Sequence, residues 1–193
     1  LPILIEMLEF PKSIKDGDIE LVKLEPTFEN ARLVFEKVDK NREYLSEWLY
    51  WLDNMKKPED EFDHIKKSSE PEIGTYIIKY KKEIVGSVGF HTVKEKHKYG
   101  EIGYWLDEDY CGKGIITKSV KMLENLFFNI FDMNRIEIRT DTENEKSSAI
   151  PKRLNYQLDG VLRKDEMLKD GSFRSTNIYS KLKSEWEKEN KNA

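Results

Sequence analysis

Gly112 and Gly114 bracket Lys113 in the stretch Cys111-Gly112-Lys113-Gly114-Ile115-Ile116-Thr117, which lies between a segment of strand alternation and one of helix periodicity. Glycines at such a junction let the backbone pass close to a ligand with no Cβ in the way. The helix that follows begins with amides lacking partners, with a partial positive charge behind them. A turn of that kind suits a pyrophosphate. Lys113, Lys118 and Lys121 are near enough in sequence to attract a further phosphate. The stretch is not a P-loop, because no Gly-Lys-Ser/Thr completes it. Nor is it a dinucleotide-binding loop, because position 117 is Thr and no paired βαβ half follows. The glycines alone fit an ordinary strand-to-helix turn better than a site. The long amphipathic helix behind them brings the two readings level.

Other chemistries find less support. His64, His91 and His97 do not have ligand spacing, and one cysteine excludes both an internal disulfide and a Cys-only zinc site, so no metal is expected. The chain has 193 residues, with 33 Lys and Arg against 37 Asp and Glu, for a net charge of −4. That balance gives no global attraction to nucleic acid or to an anionic membrane. No apolar run approaches the ~20 residues of a bilayer span. The start, Leu1 to Ile5, lacks the basic region of a secretory signal, and a cytoplasmic setting is expected. Nine Phe, nine Tyr and four Trp are enough for a core despite 36% charged residues.

The elements that must position these residues follow from periodicity. Residues 18–24 alternate as a strand, 28–38 and 41–52 read as helices, and a weaker helix covers 59–69. Strands are expected at 73–80 and 83–92, joined by Lys81-Lys82, and at 99–106. The helix behind the glycines runs to about Asp132, with Ile116, Val120, Leu123, Phe127 and Ile130 as its core stripe. A strand at 134–140 precedes a short helix from Asn144 to Asn155. A hairpin, 156–168 and 173–182, turns at Lys169-Asp170-Gly171. The charged tail, 183–193, is expected to fray. The order gives an α/β protein with a mixed sheet, in one domain of 193 residues with its core at about 18–186.

Several motifs in this order resemble the GNAT acyl-CoA N-acyltransferases: Glu101 to Leu106, Tyr110 to Ile115 and Asn134 to Arg139. Asn144 to Pro151 and Gly160 to Arg163 are similar to the branch that acetylates protein N-termini, including those of ribosomal proteins. The resemblance implies a mostly antiparallel sheet that splays between its fourth strand, 99–106, and its fifth, 134–140, flanked by helices. It implies acetyl-CoA in the splay as co-substrate, with the pyrophosphate on the amides of Cys111, Gly112, Lys113, Gly114, Ile115, Ile116 and Thr117. Pantetheine would pair with the backbone edge near Trp105 and Leu106, with Asn144 and Ser147 close by. The family loop usually opens with Gln or Arg and closes with Gly or Ala, where this chain has Cys111 and Ile116; main-chain amides survive both changes. Cys111 is read as a bystander thiol, because direct transfer needs no covalent intermediate.

For the proton work, the resemblance places a tyrosine where this chain has Pro151, which has no N–H and would leave the Ser147 carbonyl without its helical donor. It assigns Ser147 to the departing sulfur and Glu166 to the base, with Glu101 as the alternative base; each carboxylate also fits an ordinary exposed strand position. Asn144 fits a helix cap equally well. The N-terminal helices would wall the acceptor side. Their aromatic residues Tyr44, Trp48, Tyr50 and Trp51, at helical spacing, fit core packing more readily than a recognition surface, with part of them left to line a substrate cleft. Trp48, Trp51 and Tyr44 do not all reach one core from a regular helix. Asp53, Glu59, Asp60, Glu61, Asp63 and the Asp107-Glu108-Asp109 turn together offer negative charge to a cationic amine or a basic protein, although each one singly fits a solvated charged face better. The acceptor expected is the α-amine of a protein. A small amine or a non-catalytic acyl-CoA-binding module are the alternatives, and the assembly is a monomer or homodimer.

Overall fold

The computed structural model describes residues 9–67 and 74–191. In chain order these form strands β1 (Ser13–Asp16) and β2 (Ile19–Lys23) and helices α1 (Phe28–Lys40), α2 (Arg42–Ser46) and α3 (Pro58–Lys67). Strands β3 (Gly74–Tyr80), β4 (Glu83–Lys94) and β5 (Tyr99–Leu106) lead to α4 (Ile115–Glu124). Then come β6 (Arg135–Asp141), α5 (Glu145–Arg153), β7 (Gln157–Met167), β8 (Phe173–Leu182) and α6 (Lys183–Lys191). The expected strand start at 73, the helix end at 68–69, the apolar start Leu1–Ile5 and the last two residues lie outside the described residues.

One sheet runs β1-β2-β3-β4-β5-β6-β8-β7. Every neighbouring pair is antiparallel except β5 with β6. The hairpin β1–β2 turns on Gly17 and Asp18, and its first strand goes beyond what the sequence reading found. Lys81 and Lys82 take the expected β3–β4 turn, both at positive φ (50° and 75°), as a tight two-residue hairpin requires. Alternation sends Tyr76, Ile78, Val88, Phe90, Ile102, Ile136 and Ile138 into the core under α4 and α5, while Ile77 and Trp105 face the N-terminal helices. A row of rings links the ends of the chain: Phe10 to Phe90 at 6.0 Å, Phe90 to Phe127 at 4.5 Å, Phe127 to Phe128 at 6.1 Å and Phe128 to Trp186 at 5.7 Å.

Three expectations are corrected. The helix behind the glycines does not run evenly to Asp132: a π-helical turn, Asn125–Ile130, follows Glu124. It lets the adjacent Phe127 and Phe128 both be fully buried, and it rotates Ile130 out to 63% exposure, away from its expected stripe. The helix expected over 41–52 breaks after Ser46, and a 3₁₀ turn covers Tyr50–Asn54. The break resolves the conflict among the aromatics, because Trp51 now stacks on His64 at 5.3 Å while Trp48 lies under Arg174 at 4.8 Å. The Arg42 guanidinium donates to the carbonyls of Leu52 (3.0 Å) and Met55 (2.7 Å) and holds the turn. The tail does not fray at once: α6 is anchored by Trp186 and by Glu189, whose carboxylate reaches the buried Lys181 ammonium at 3.0 Å. Lys181 also pairs with buried Glu124 of α4 at 3.2 Å, so the last strand, the last helix and α4 share one enclosed charge cluster.

Candidate active site

β5 pairs with β6 only through Tyr99–Ile102 against Arg135–Ile138. Yet β5 continues beside β4 as far as Leu106, and β6 continues beside β8 as far as Asp141. The backbone edges 103–106 and 139–141 therefore diverge, leaving peptide groups with no strand to meet. The splay opens between the strands expected to form it; β1 makes them the fifth and sixth rather than the fourth and fifth. Trp105 and Leu106 lie on this open edge, at its mouth.

The glycine turn sits just beyond. Asp107, fully buried, accepts from the Lys37 and Lys40 ammoniums (3.2 Å each) and from the Asp109 amide (3.2 Å). Burial acts to raise its pKa, but these donors outweigh burial and hold the carboxyl below its ordinary value. The Asn41 side-chain oxygen accepts from the Glu108 amide at 3.0 Å, so the end of α1 fixes the approach to the turn. Gly112 and Gly114 are left-handed, at φ +76° and +73°, and no atom lies within 4 Å of where a Cβ would stand. The first bond of α4 runs from the Lys118 amide to the Gly114 carbonyl, so the amides of Ile115, Ile116 and Thr117 have no acceptor inside the helix. An open, Cβ-free bend with bare amides behind it fits a pyrophosphate.

The flanking cations differ from expectation. Lys113 folds back, donating to the Asp109 carbonyl at 2.8 Å and lying over the Tyr110 ring, and Lys118 pairs with Asp16 at 3.1 Å. Instead Arg153, from the last turn of α5, donates to Thr117 Oγ1 at 2.8 Å and brings an exposed guanidinium to the first turn of α4. Sequence reasoning passed over it, because a basic residue at a helix C-terminus is usual for dipole reasons alone. Cys111 Sγ lies 3.8 Å from the Asp107 carbonyl and 3.6 Å from Tyr44 Oη, contacts that tether the loop to α2.

Helix α5 covers one face of the splay. Asn144 caps it, its Oδ1 accepting from the Ser147 amide at 2.9 Å. Ser148 is tied to Thr140 of β6 at 2.8 Å, which aims the preceding residue, Ser147, toward β5. There Tyr104 Oη donates to the Ser147 carbonyl at 3.0 Å, and Ser147 Oγ donates to Tyr104 Oη at 3.4 Å. Pro151 lies inside α5, as expected.

The carboxylates occupy the opposite face, with the N-terminal helices. Glu166 is half-buried on β7, directly across from Arg174. A bulge precedes it, with Lys164 left-handed at φ 52° and its amide held by Ser175 Oγ at 3.0 Å. Burial, then the like charges of Asp165 and Asp141, push the Glu166 pKa up, against the pull of Arg139 and Arg174. Glu101 is in register with Glu137 in the closed part of the β5–β6 pair, below the splay. Burial is the main cause that raises its pKa, with Arg139 opposing and Glu137 adding to the rise. Arg174 crosses the acceptor side over the Trp48 ring, donating to the Glu47 carbonyl (2.9 Å) and to Asp141 (3.3 Å). The hairpin-tip Lys169 pairs with Asp53. His91 sits at the β4 bulge with its ring against the backbone of Gly103. Although the residue is exposed, desolvation by its surroundings and then nearby His64 lower its pKa.

The acidic residues expected to form an attracting patch are mostly committed elsewhere. Asp53 pairs with Lys169, Asp60 accepts the amides of Lys56 and Lys57, Glu61 is buried and Asp107 serves the glycine turn. Among the described residues no His, Cys, Asp and Glu cluster has metal-binding geometry, and no helix is long and apolar enough to cross a membrane. A shallow depression of about 500 Å³, bordered by Arg42, Asp53, Lys56 and Lys169, shares no residue with the glycine turn.

A sheet of this order, splayed beside an amide-lined turn, is the acyl-CoA N-acyltransferase fold. The chain belongs to the GNAT acetyltransferase family, matching the description "Acetyltransferase (GNAT) domain" over residues 19–157. It is similar to YdaF of Bacillus subtilis (strain 168), provisionally named a ribosomal N-acetyltransferase, with 29% identity over 171 residues covering 86% of this chain and 92% of the relative. It is also similar to the ribosomal-protein-serine acetyltransferase of Escherichia coli (strain K12), with 26% identity over 172 residues covering 84% and 93%. Among solved structures, the microcin C7 self-immunity acetyltransferase MccE, in complex with acetyl-CoA and AMP, superposes with a TM-score of 0.82 and 29% identity, covering 90% of this chain and 97% of that one.

Proposed function

We propose that this chain transfers the acetyl group of acetyl-CoA to the α-amine at the N-terminus of a protein, a ribosomal protein being the acceptor its relatives' names point to. The observation that carries the reading is the unpaired edge 103–106 opening onto the glycine turn, with hydroxyls on one face and carboxylates on the other. In this reading the amides of residues 112–117 and the Arg153 guanidinium hold the pyrophosphate, the expected Cys111 amide being instead taken up by the Glu108 carbonyl at 3.0 Å. The edge at Trp105 and Leu106, with Asn144, receives the pantetheine. Ser147 donates to the departing sulfur from the α5 face, while Glu166 accepts the amine's proton from the other. Glu101, lower in the closed sheet, shapes the charge of that face. Such an acceptor is met in the cytoplasm, where the lone Cys111 also stays reduced.

A second reading, acetylation of a small amine, is favoured by the similarity to MccE, whose complex holds AMP. The deciding experiment offers acetyl-CoA with peptides bearing a free N-terminal serine or alanine, the same peptides N-acetylated, and spermidine, and measures release of free CoA thiol. The expected result is release with the free peptides and none with the blocked ones. Release with spermidine alone selects the second reading, and release with no acceptor overturns both.

A further inference from the structure

We propose that Tyr104 is a positioning residue for Ser147, anchored by the carbonyl that Pro151 leaves without a helical donor. The inference rests on the reading of Ser147 given above and names what holds that hydroxyl in place.

In a regular α-helix the amide of residue 151 donates to the carbonyl of residue 147. Proline has no N–H to give. The Tyr104 phenol takes up that carbonyl from the neighbouring strand at 3.0 Å, a bond between β5 and α5 that spans the splay. Its oxygen is thereby fixed at a point 3.4 Å from Ser147 Oγ, whose hydrogen it accepts. One phenol thus addresses two oxygens of one residue, and turning its O–H from one to the other needs no heavy atom to move. Burial pushes the Tyr104 pKa up, against a smaller opposing effect of its bond to Ser147, so the phenol remains a neutral donor.

The sequence of events follows from this arrangement. The amine nitrogen bonds to the thioester carbonyl carbon, and as the resulting tetrahedral oxyanion collapses to the amide the carbon–sulfur bond breaks and its electron pair stays on sulfur. The Ser147 hydrogen turns from Tyr104 to that sulfur, and the Tyr104 hydrogen turns from the carbonyl to Ser147 Oγ, polarising the serine O–H. Tyr104 gives up no proton; the proton lost by the amine leaves on the opposite face, to Glu166. Tyr104 touches neither reacting atom and acts only through the serine.

The test is a cycle of Tyr104→Phe, Ser147→Ala and the double variant, using acetyl-CoA and whichever probe acceptor, N-terminal-serine peptide or spermidine, the wild type acetylates. Tyr104→Phe is expected to lower kcat about tenfold, the worth of one such hydrogen bond, with the KM for acetyl-CoA and its calorimetric Kd unchanged. The double variant is expected to match Ser147→Ala alone, since a residue acting through the serine has nothing left to act on. An equal loss in both backgrounds overturns the proposal. So does a wild-type kcat in Tyr104→Phe while Ser147→Ala is slow. A wild-type kcat in Ser147→Ala removes the reading of Ser147 itself, and this inference with it. Should Tyr104→Phe fail to fold, Pro151→Ala keeps the ring in place and returns a competing N–H to the carbonyl. That variant is expected to lower kcat by a few-fold with acetyl-CoA affinity unchanged, and a wild-type kcat there counts against the anchor.

Discussion

Glu166 owes its setting to a bulge that carries no hydrophobic signal: left-handed Lys164 displaces the strand before it, and burial with Asp165 and Asp141 nearby favours the protonated carboxyl. A base must be ionised to work, so kcat is expected to rise with pH through a pKa above the ordinary carboxylate range, and to be lost as pH falls through it. Glu166→Gln is expected to lower kcat by about 10²-fold or more and to abolish that acidic limb, leaving acetyl-CoA affinity intact. A pH–rate profile checks this, and a limb that survives in the variant moves the role to Glu101. Ser147 and Glu166 were legible as candidates only through the family resemblance, since a strand Glu and a helix Ser have ordinary uses. The Pro151 gap was legible from sequence, because it follows from counting four residues along a helix. The phenol that fills it was not, because Tyr104 lies 43 positions from Ser147 and the contact exists only once β5 and α5 are packed.

At the scale of elements, the glycine turn was the most legible feature, since left-handed backbone and exposed helix amides follow from local sequence. Gly114→Val places a β-branched residue at φ +73° and fills the open bend. The expected result is loss of at least about tenfold in CoA affinity by calorimetry, with the sheet's circular dichroism retained. Unchanged affinity sinks the assignment of the turn. Elsewhere periodicity misled for physical reasons. The stripe Ile116, Val120, Leu123, Phe127 holds only until the π turn, where burying Phe127 and Phe128 together outweighs even spacing and expels Ile130. In the 41–52 segment the aromatics demanded three directions, and the helix yielded. The order of α6 depends on one tryptophan and one acid hidden in a charged run.

For the whole molecule, the succession of strands along the chain was legible from alternation, and the place of the splay only through the family's order of motifs. The extra strand β1 was missed, as four residues with one half-buried side chain give little alternation. The two sheet halves meet through four residue pairs of β5 and β6, the rest of that seam being open. In hydrogen–deuterium exchange, the amides of residues 103–106 that face the seam are expected to exchange rapidly in the free protein and to be protected on adding CoA. Equal exchange with and without CoA places the ligand elsewhere. A further consequence concerns supply rather than catalysis. On the proposed placement, a co-substrate lodged along that seam is expected to act as a removable strand and so to couple the fold's resistance to heat to its concentration. At a hundredfold excess over Kd the gain is about 2.7 kcal/mol. The melting temperature of this protein is therefore expected to climb with the concentration of acetyl-CoA or of CoA itself.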